Sequence, residues 1–194
     1  MRRVLVLHAH PVPTSFNAAL FHATCEGLRA GGWEVDGCDL YAECFNPVMS
    51  EVERVGYHTT PDNIAPVAGY VDRVREATAL VLVFPVWNFG YPAMLKGFFD
   101  RVFLPGVSFE LVDGTLQANL THVHRLAAVT TYGATRVRAF AAGDPPRKVV
   151  TRALKACLHP GASCTYHALY DMNTASDGRR TGYLARVRTA MEQF

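Results

Sequence analysis

The chain has 194 residues, 49% hydrophobic and 19% charged, with a formal net charge of +2. This predicts one globular domain over 1–194 with ample apolar material for a core, and so small a charge argues against nucleic acid or an anionic membrane as main partner. No stretch approaches the roughly 18 apolar residues of a membrane span, and the run after Arg2 and Arg3 is too short for a secretory core. The cytoplasm is the expected compartment. Cys25, Cys38, Cys44, Cys157 and Cys164 are odd in number and lack CxxC spacing, so neither a disulfide framework nor a metal site is expected.

In chain order, the first clear element is "VLVLHA" (4–9), an apolar run that reads as a strand buried on both faces. The loop "HPVPTSFN" follows, stiffened by prolines, and leads into a helix over 15–32 that stops at Gly31 and Gly32. "EVDGCDL" (34–40) alternates weakly and suits an outer strand. Helical spacing returns at 67–77, then the strand "ALVLVFP" (79–85) runs into the aromatic loop "VWNFGY", and Pro92 opens a helix over 92–103. Residues 107–123 read as an extra hairpin turning at Asp113-Gly114, and 126–131 as another strand buried on both faces. A helix over 147–158, a second outer strand at 164–170 and a helix over 182–194 complete the pattern. Such alternation predicts an α/β fold, a five-stranded parallel sheet with helices on both faces.

In such sheets ligands bind beyond the carboxyl ends of the strands, which selects the loops 8–17, 85–91 and 130–136. Thr14, Ser15 and Asn17 stand at a helix start, where free N–H groups and the helix dipole suit an anion; plain capping explains them equally well. Neither GxGxxG nor GxxxxGK[ST] is present, so the common dinucleotide and P-loop signatures are absent. His8 and His10 share one side of the strand end without further ligands at metal spacing; His8 reads as a core histidine and His10 as a phosphate donor. Thr130 and Thr131 offer hydroxyls, and Gly133 lets a ligand approach the backbone closely. Trp87, Phe89 and Tyr91 are either folded back as core or form the bed of a flat ligand.

Together, "HAHPVPTSFN", "FPVWNFGYPAMLKGFFDRVF" and "VTTYG", in that order, resemble the flavodoxin-like NAD(P)H:quinone oxidoreductase family (DT-diaphorase-like) over about residues 3–135. The resemblance implies a flavodoxin-like three-layer sandwich with a flavin in the crevice. It sets the flavin phosphate against His10, Ser15, Phe16 and Asn17, and the ring against Pro85, Val86, Trp87, Asn88 and Phe89. Thr130, Thr131, Tyr132 and Gly133 close the other side of the ring. The "SFN" form of the first loop points to FAD, with FMN the alternative that the chain length favours. NAD(P)H would pass two electrons through the flavin to a quinone or similar small acceptor in ping-pong turnover, with no metal. The Tyr and His that family members carry beyond this loop are missing from "ATRVRAFAAGDPPRK"; Arg136 and Arg138 are candidates to stabilise the anionic reduced ring in their place, and a solvated, salt-bridging arginine is the other and favoured reading of each. Phe109 either takes the place of an aromatic near the acceptor or packs the core of the extra hairpin. Met94, Leu95, Phe98, Phe99, Val102 and Phe103 cover more than one face of their helix, and with the family's habit this implies a homodimer. The rival readings are a nitro- or azo-reductase, a flavin-binding regulatory subunit of a potassium efflux system, and a one-electron carrier. The slightly basic charge and aromatic wall disfavour the last.

Overall fold

A computed structural model describes residues 2–194. The strands are β1 (Arg3–His8), β2 (Glu34–Asp39), β3 (Ala79–Val86), β4 (Phe109–Val112), β5 (Thr115–Ala118), β6 (Arg125–Tyr132) and β7 (Ser163–Leu169). Five of them form a wholly parallel sheet ordered β2-β1-β3-β6-β7, while β4 and β5 make the separate antiparallel hairpin expected around Asp113-Gly114. The sheet grows in both directions from β1, so the chain switches direction between β1 and β3, and a crevice opens at their carboxyl ends.

Helices α1 (Phe16–Ala30), α2 (Glu51–Val55), α3 (Ala68–Glu76), α4 (Ala93–Val102), α5 (Arg136–Ala141), α6 (Pro145–Lys148) and α7 (Asp177–Glu192) surround this sheet. Alternation along β1 sends Val4 and Val6 into a core with Leu20 and Leu28 of α1 and Val187 and Met191 of α7. Leu5 and Leu7 point the other way, to Val71 and Val74 of α3 and Leu95, Phe98 and Val102 of α4. The central strands thus bury both faces, which is why they read as unbroken apolar runs. Among the described residues no helix is long and apolar enough to cross a membrane.

Three sequence expectations need correcting. The stretch 134–146, read without secondary structure, holds α5, capped by Thr135, and the start of α6; the helix expected over 147–158 starts at Pro145 and takes π-helical geometry over Val149–Leu154. The final helix begins at Asp177, capped by Ser176, five residues before the expected start. The excess apolar surface of α4 is covered by its own chain. Phe45 packs on Phe98 with ring centroids 5.5 Å apart, Tyr91 meets Phe99 at 5.6 Å, and Arg101 ion-pairs with Glu53 of α2. The segment 41–67, unassigned from sequence, is the missing cover, so α4 gives no argument for a second subunit. Its helix α2 carries a capping box between Ser50 and Glu53, a signal present in the sequence as Ser-x-x-Glu.

Candidate functional site

The switch in strand order opens into a cleft of about 420 Å³, within the roughly 300–1,000 Å³ of small-molecule sites. Four strand-end segments wall it: His10 and Ser15–Asn17 after β1, Pro85–Asn88 at the end of β3, Thr131 and Gly133 at β6, and Met172 and Asn173 after β7.

The first wall is built on a helix start. Ser15 caps α1, its Oγ accepting from the Ala18 N–H at 3.1 Å, while the N–H groups of Phe16 and Asn17 have no intrahelical acceptor. Capping and anion binding are therefore compatible here, because the cap uses one N–H and leaves others free. His10 Nδ1 lies 3.1 Å from the Val12 N and 3.3 Å from the Val12 O, which ties the ring to its own loop. Asn17 is the unusual residue of this wall. It is 3% exposed, and neither its Oδ1 nor its Nδ2 finds a hydrogen-bond partner. Buried amides are almost always bonded, so an unpartnered amide in a residue that lines a cleft is unusual.

The second wall is a two-residue hairpin. The Gly90 N–H donates to Trp87 O at 2.8 Å and the Trp87 N–H to Gly90 O at 3.2 Å. Asn88 and Phe89 between them sit at φ 51° and 56°. This is a type I′ geometry, which Asn tolerates and Phe adopts at a cost. The turn directs the Asn88 and Phe89 N–H groups away from internal acceptors and lifts Trp87 to 43% exposure beside His10, their ring centroids 5.6 Å apart. Tyr91, by contrast, is half-buried against the core: its ring lies 4.9 Å from Phe84 and its hydroxyl donates to Pro146 O at 2.5 Å. The aromatic loop therefore divides into two exposed rings and one packed on the core.

The third wall separates by strand alternation. Thr131 and Gly133 face the cleft, whereas Tyr132 is buried on the opposite side. There the Tyr132 hydroxyl meets Asp144 Oδ1 at 2.6 Å and the Tyr166 hydroxyl at 2.7 Å, and burial foremost pushes its pKa far above the usual tyrosine range. Thr130 points the same way as Tyr132, its Oγ1 buried without a partner and its carbonyl accepting from the Tyr183 hydroxyl at 3.3 Å.

Several expected residues lie elsewhere. Phe89, 39% exposed, stands at the hairpin tip outside the cleft lining. Arg136 faces a neighbouring cavity, Arg138 is exposed on α5 and lines neither, and Phe109 opens the β4–β5 hairpin. Met172 and Asn173 were missed. The strand-end rule that selected the other loops applies equally to the end of β7, and the Asp171 N–H ties this segment to Ala134 O at 3.1 Å. A Cβ at Gly133 would stand 3.0 Å from Asn173 Nδ2, so the end of that side chain would have to give by a few tenths of an ångström.

Beneath the cleft His8 is 1% exposed, stacked on Phe21 at 4.7 Å, with Nδ1 3.1 Å from Asp39 Oδ2 and Nε2 unpartnered. Burial, the largest influence, lowers its pKa below 6.5; the Asp39 carboxylate and the neighbouring Asn17 amide pull the other way without reversing it. The unfolded chain therefore binds a proton at His8 more readily than the folded protein does, so stability is lost as pH falls through the region below about 6.5. Urea midpoints should drop between about pH 7 and pH 5, and His8→Phe, which keeps a ring on Phe21, should flatten part of that slope. His167, also lowered by burial, contributes in the same direction.

A family model for a flavodoxin-like fold matches residues 2–160. NAD(P)H dehydrogenase [quinone] 1 of Cavia porcellus is 37% identical over 125 residues, 56% of this chain and 46% of that protein. Human ribosyldihydronicotinamide dehydrogenase [quinone] is 31% identical over 152 residues, 68% of this chain and 64% of that protein, so the chain spans about half to two-thirds of these curated relatives. The crystal structure of Smu.1420 from Streptococcus mutans UA159 superposes with a TM-score of 0.85 at 28% identity, covering 99% of this chain and 100% of that one. With the family model covering most of the chain, and the strand order and switch-point cleft agreeing with it, the chain belongs to the flavodoxin-like family.

Proposed function

We propose that the cleft binds a flavin and that the protein passes two electrons from NAD(P)H to a quinone or a similar small acceptor. The observation that carries this reading is a residue lining the cleft at the switch point of the sheet, Asn17, whose buried amide has no hydrogen-bond partner. When bound there, a flavin would supply the redox chemistry, accepting a hydride from NAD(P)H and releasing the electron pair to the acceptor. The names of the curated relatives support the reductant and the acceptor class.

The chain's own groups have defined tasks in this reading. The N–H groups of Phe16 and Asn17, with Ser15 and His10, bind the phosphate end at the start of α1. The Asn17 amide bonds the flavin's polar chain. The hairpin fixes Trp87 as a flat wall and aims the Asn88 N–H group at the ring's polar edge, where it opposes negative charge that builds on reduction. Thr131, Gly133 and Asn173 close the other side. Neither Arg136 nor Arg138 lines this cleft, so charge stabilisation falls to N–H donors.

We take the flavin as FAD on the Ser15-Phe16-Asn17 loop, with FMN the alternative; chromatography of the flavin released on denaturation separates them. A homodimer belongs to the proposal with its contact moved to the β4–β5 hairpin, where Leu111 and Leu116 are 57% and 65% exposed. A monomeric mass by sedimentation at micromolar concentration would refute it. Trp87→Ala is expected to raise the flavin Kd about 2–10-fold, the range for one lost aromatic contact, with little change in melting temperature. Flavin titration of the flavin-free protein measures both. Steady-state turnover with a simple quinone tests the activity: an oxidoreductase turns over, a regulatory subunit does not.

A further inference from the structure

On the far side of the β6 loop lies a second cavity, of about 430 Å³. Arg136, Arg147, Lys148 and Arg152 line it, with the Phe140 and Tyr170 rings. Its one carboxylate, Asp144, is already engaged, accepting from Arg147 Nε at 2.9 Å and from the Tyr132 hydroxyl at 2.6 Å. Arg147 is held further by the Tyr170 hydroxyl at 3.0 Å and lies over the Tyr166 ring at 4.2 Å. Arg136, Lys148 and Arg152 form no ion pair among the described residues.

Three features make this more than a solvated basic face. Lys148 and Arg152 are brought to the same cavity across the π-helical turn Val149–Leu154, a geometry that proteins keep mostly at functional sites. Phe140 stands at the rim 81% exposed, a flat apolar surface held in water. The cavity also shares a wall with the flavin cleft. Gly133 lines one and Arg136 the other, Met172 lines one and Tyr170 the other, and the Asp171 N–H to Ala134 O bond stitches the two loops together. Three residues of chain reach at most about 10 Å, so the two cavities are neighbours.

A group of free cations fits an anion of high charge, and a phosphomonoester near neutral pH carries close to two negative charges. We propose that this cavity binds the 2′-phosphate of NADPH, with Phe140 against the adenine, and that NADPH is thereby preferred to NADH. The inference rests on the reading above that a nicotinamide dinucleotide uses the flavin cleft: with its nicotinamide end there, its adenosine end crosses the β6 loop into the basic cavity. Arginine is a common partner for this phosphate in other dinucleotide sites because its fork matches the phosphate oxygens.

Calorimetric titration of the flavin-loaded protein with 2′,5′-ADP, 5′-AMP and inorganic phosphate tests this directly. The expected result is 2′,5′-ADP binding about tenfold or more tightly than 5′-AMP, the margin shrinking with added salt. The Lys148→Ala/Arg152→Ala double variant should lose that margin, as should Arg152→Glu alone; both sites are exposed, and melting curves check that the variants fold. In turnover, the ratio of kcat/KM for NADPH over NADH should fall about tenfold in the double variant. Equal affinity for the two nucleotides, a margin that survives in the variants, or inorganic phosphate displacing 2′,5′-ADP at comparable concentration would each overturn the proposal. If the margin is found and depends on Arg152 while neither dinucleotide reduces the flavin, the phosphate site stands and the oxidoreductase reading falls.

Discussion

Replacing Asn17 with leucine is expected to move the protein in two directions at once: the flavin-free form gains about 1–3 kcal/mol of stability, and flavin binds about tenfold or more weakly. Asn17 is buried at 3% exposure with both amide atoms unpartnered, so in the flavin-free protein it imposes the desolvation cost of a polar group without the bond that normally offsets it. Leucine keeps the same branched shape and number of heavy atoms, has no polar atoms and a better helical propensity, so the desolvation cost disappears, and the gain is what remains after its bulkier methyl groups are accommodated. The same change removes the group that would bond the ligand. Ser15→Ala provides the contrast. It removes the cap on the Ala18 N–H and should destabilise by about 1 kcal/mol while weakening flavin binding as well. Urea denaturation of flavin-free protein and flavin titration give the two quantities separately. If Asn17→Leu were destabilising without flavin, the amide would be serving the fold, and the main support for the site would be lost.

The second large effect is on stability. Gly97→Ala is expected to destabilise the protein by about 3 kcal/mol, lowering its melting temperature by about 6–12 °C. A Cβ at Gly97 would stand 2.3 Å from Pro47 O and 2.5 Å from Pro47 Cα, so backbone must move off α4 to admit it. Alanine is the better helix former by only about 1 kcal/mol, so the clash wins. In α7 the same substitution at Gly178 or Gly182 meets nothing within 4 Å and should stabilise by about 0.5–1 kcal/mol. Differential scanning calorimetry of the three variants measures these signs. The effect at Gly97 also bears on the cleft, because α4 follows directly from the hairpin that carries Trp87.

The inner strands were legible because a strand covered on both faces must be apolar throughout, as β1, β3 and β6 are. What covers α4 was not legible. Phe45 and Pro47 lie some fifty residues earlier in the chain, and nothing local to α4 distinguishes an apolar face met by a distant loop from one met by another subunit. At the site, the loops could be found from topology but the side-chain directions could not be taken from a motif. Period-two alternation separates Thr131 and Gly133, which face the cleft, from Thr130 and Tyr132, which do not. Met172 and Asn173 follow an outer strand whose sequence alternates only partly, and the short turn after it carries no glycine to draw attention. The orphaned amide of Asn17 is a property of packing, visible only once the surroundings of α1 are in place.

The central claim is that the cleft at the switch point holds a flavin that NAD(P)H can reduce. The measurement that tests it most directly is the visible absorption spectrum of the purified, flavin-loaded protein under anaerobic conditions, before and after one equivalent of NADPH. The account predicts a bound flavin whose visible band bleaches on addition and returns when a quinone is supplied. A protein that retains no flavin after loading and desalting, or whose flavin band is unchanged by either NADPH or NADH, would contradict it.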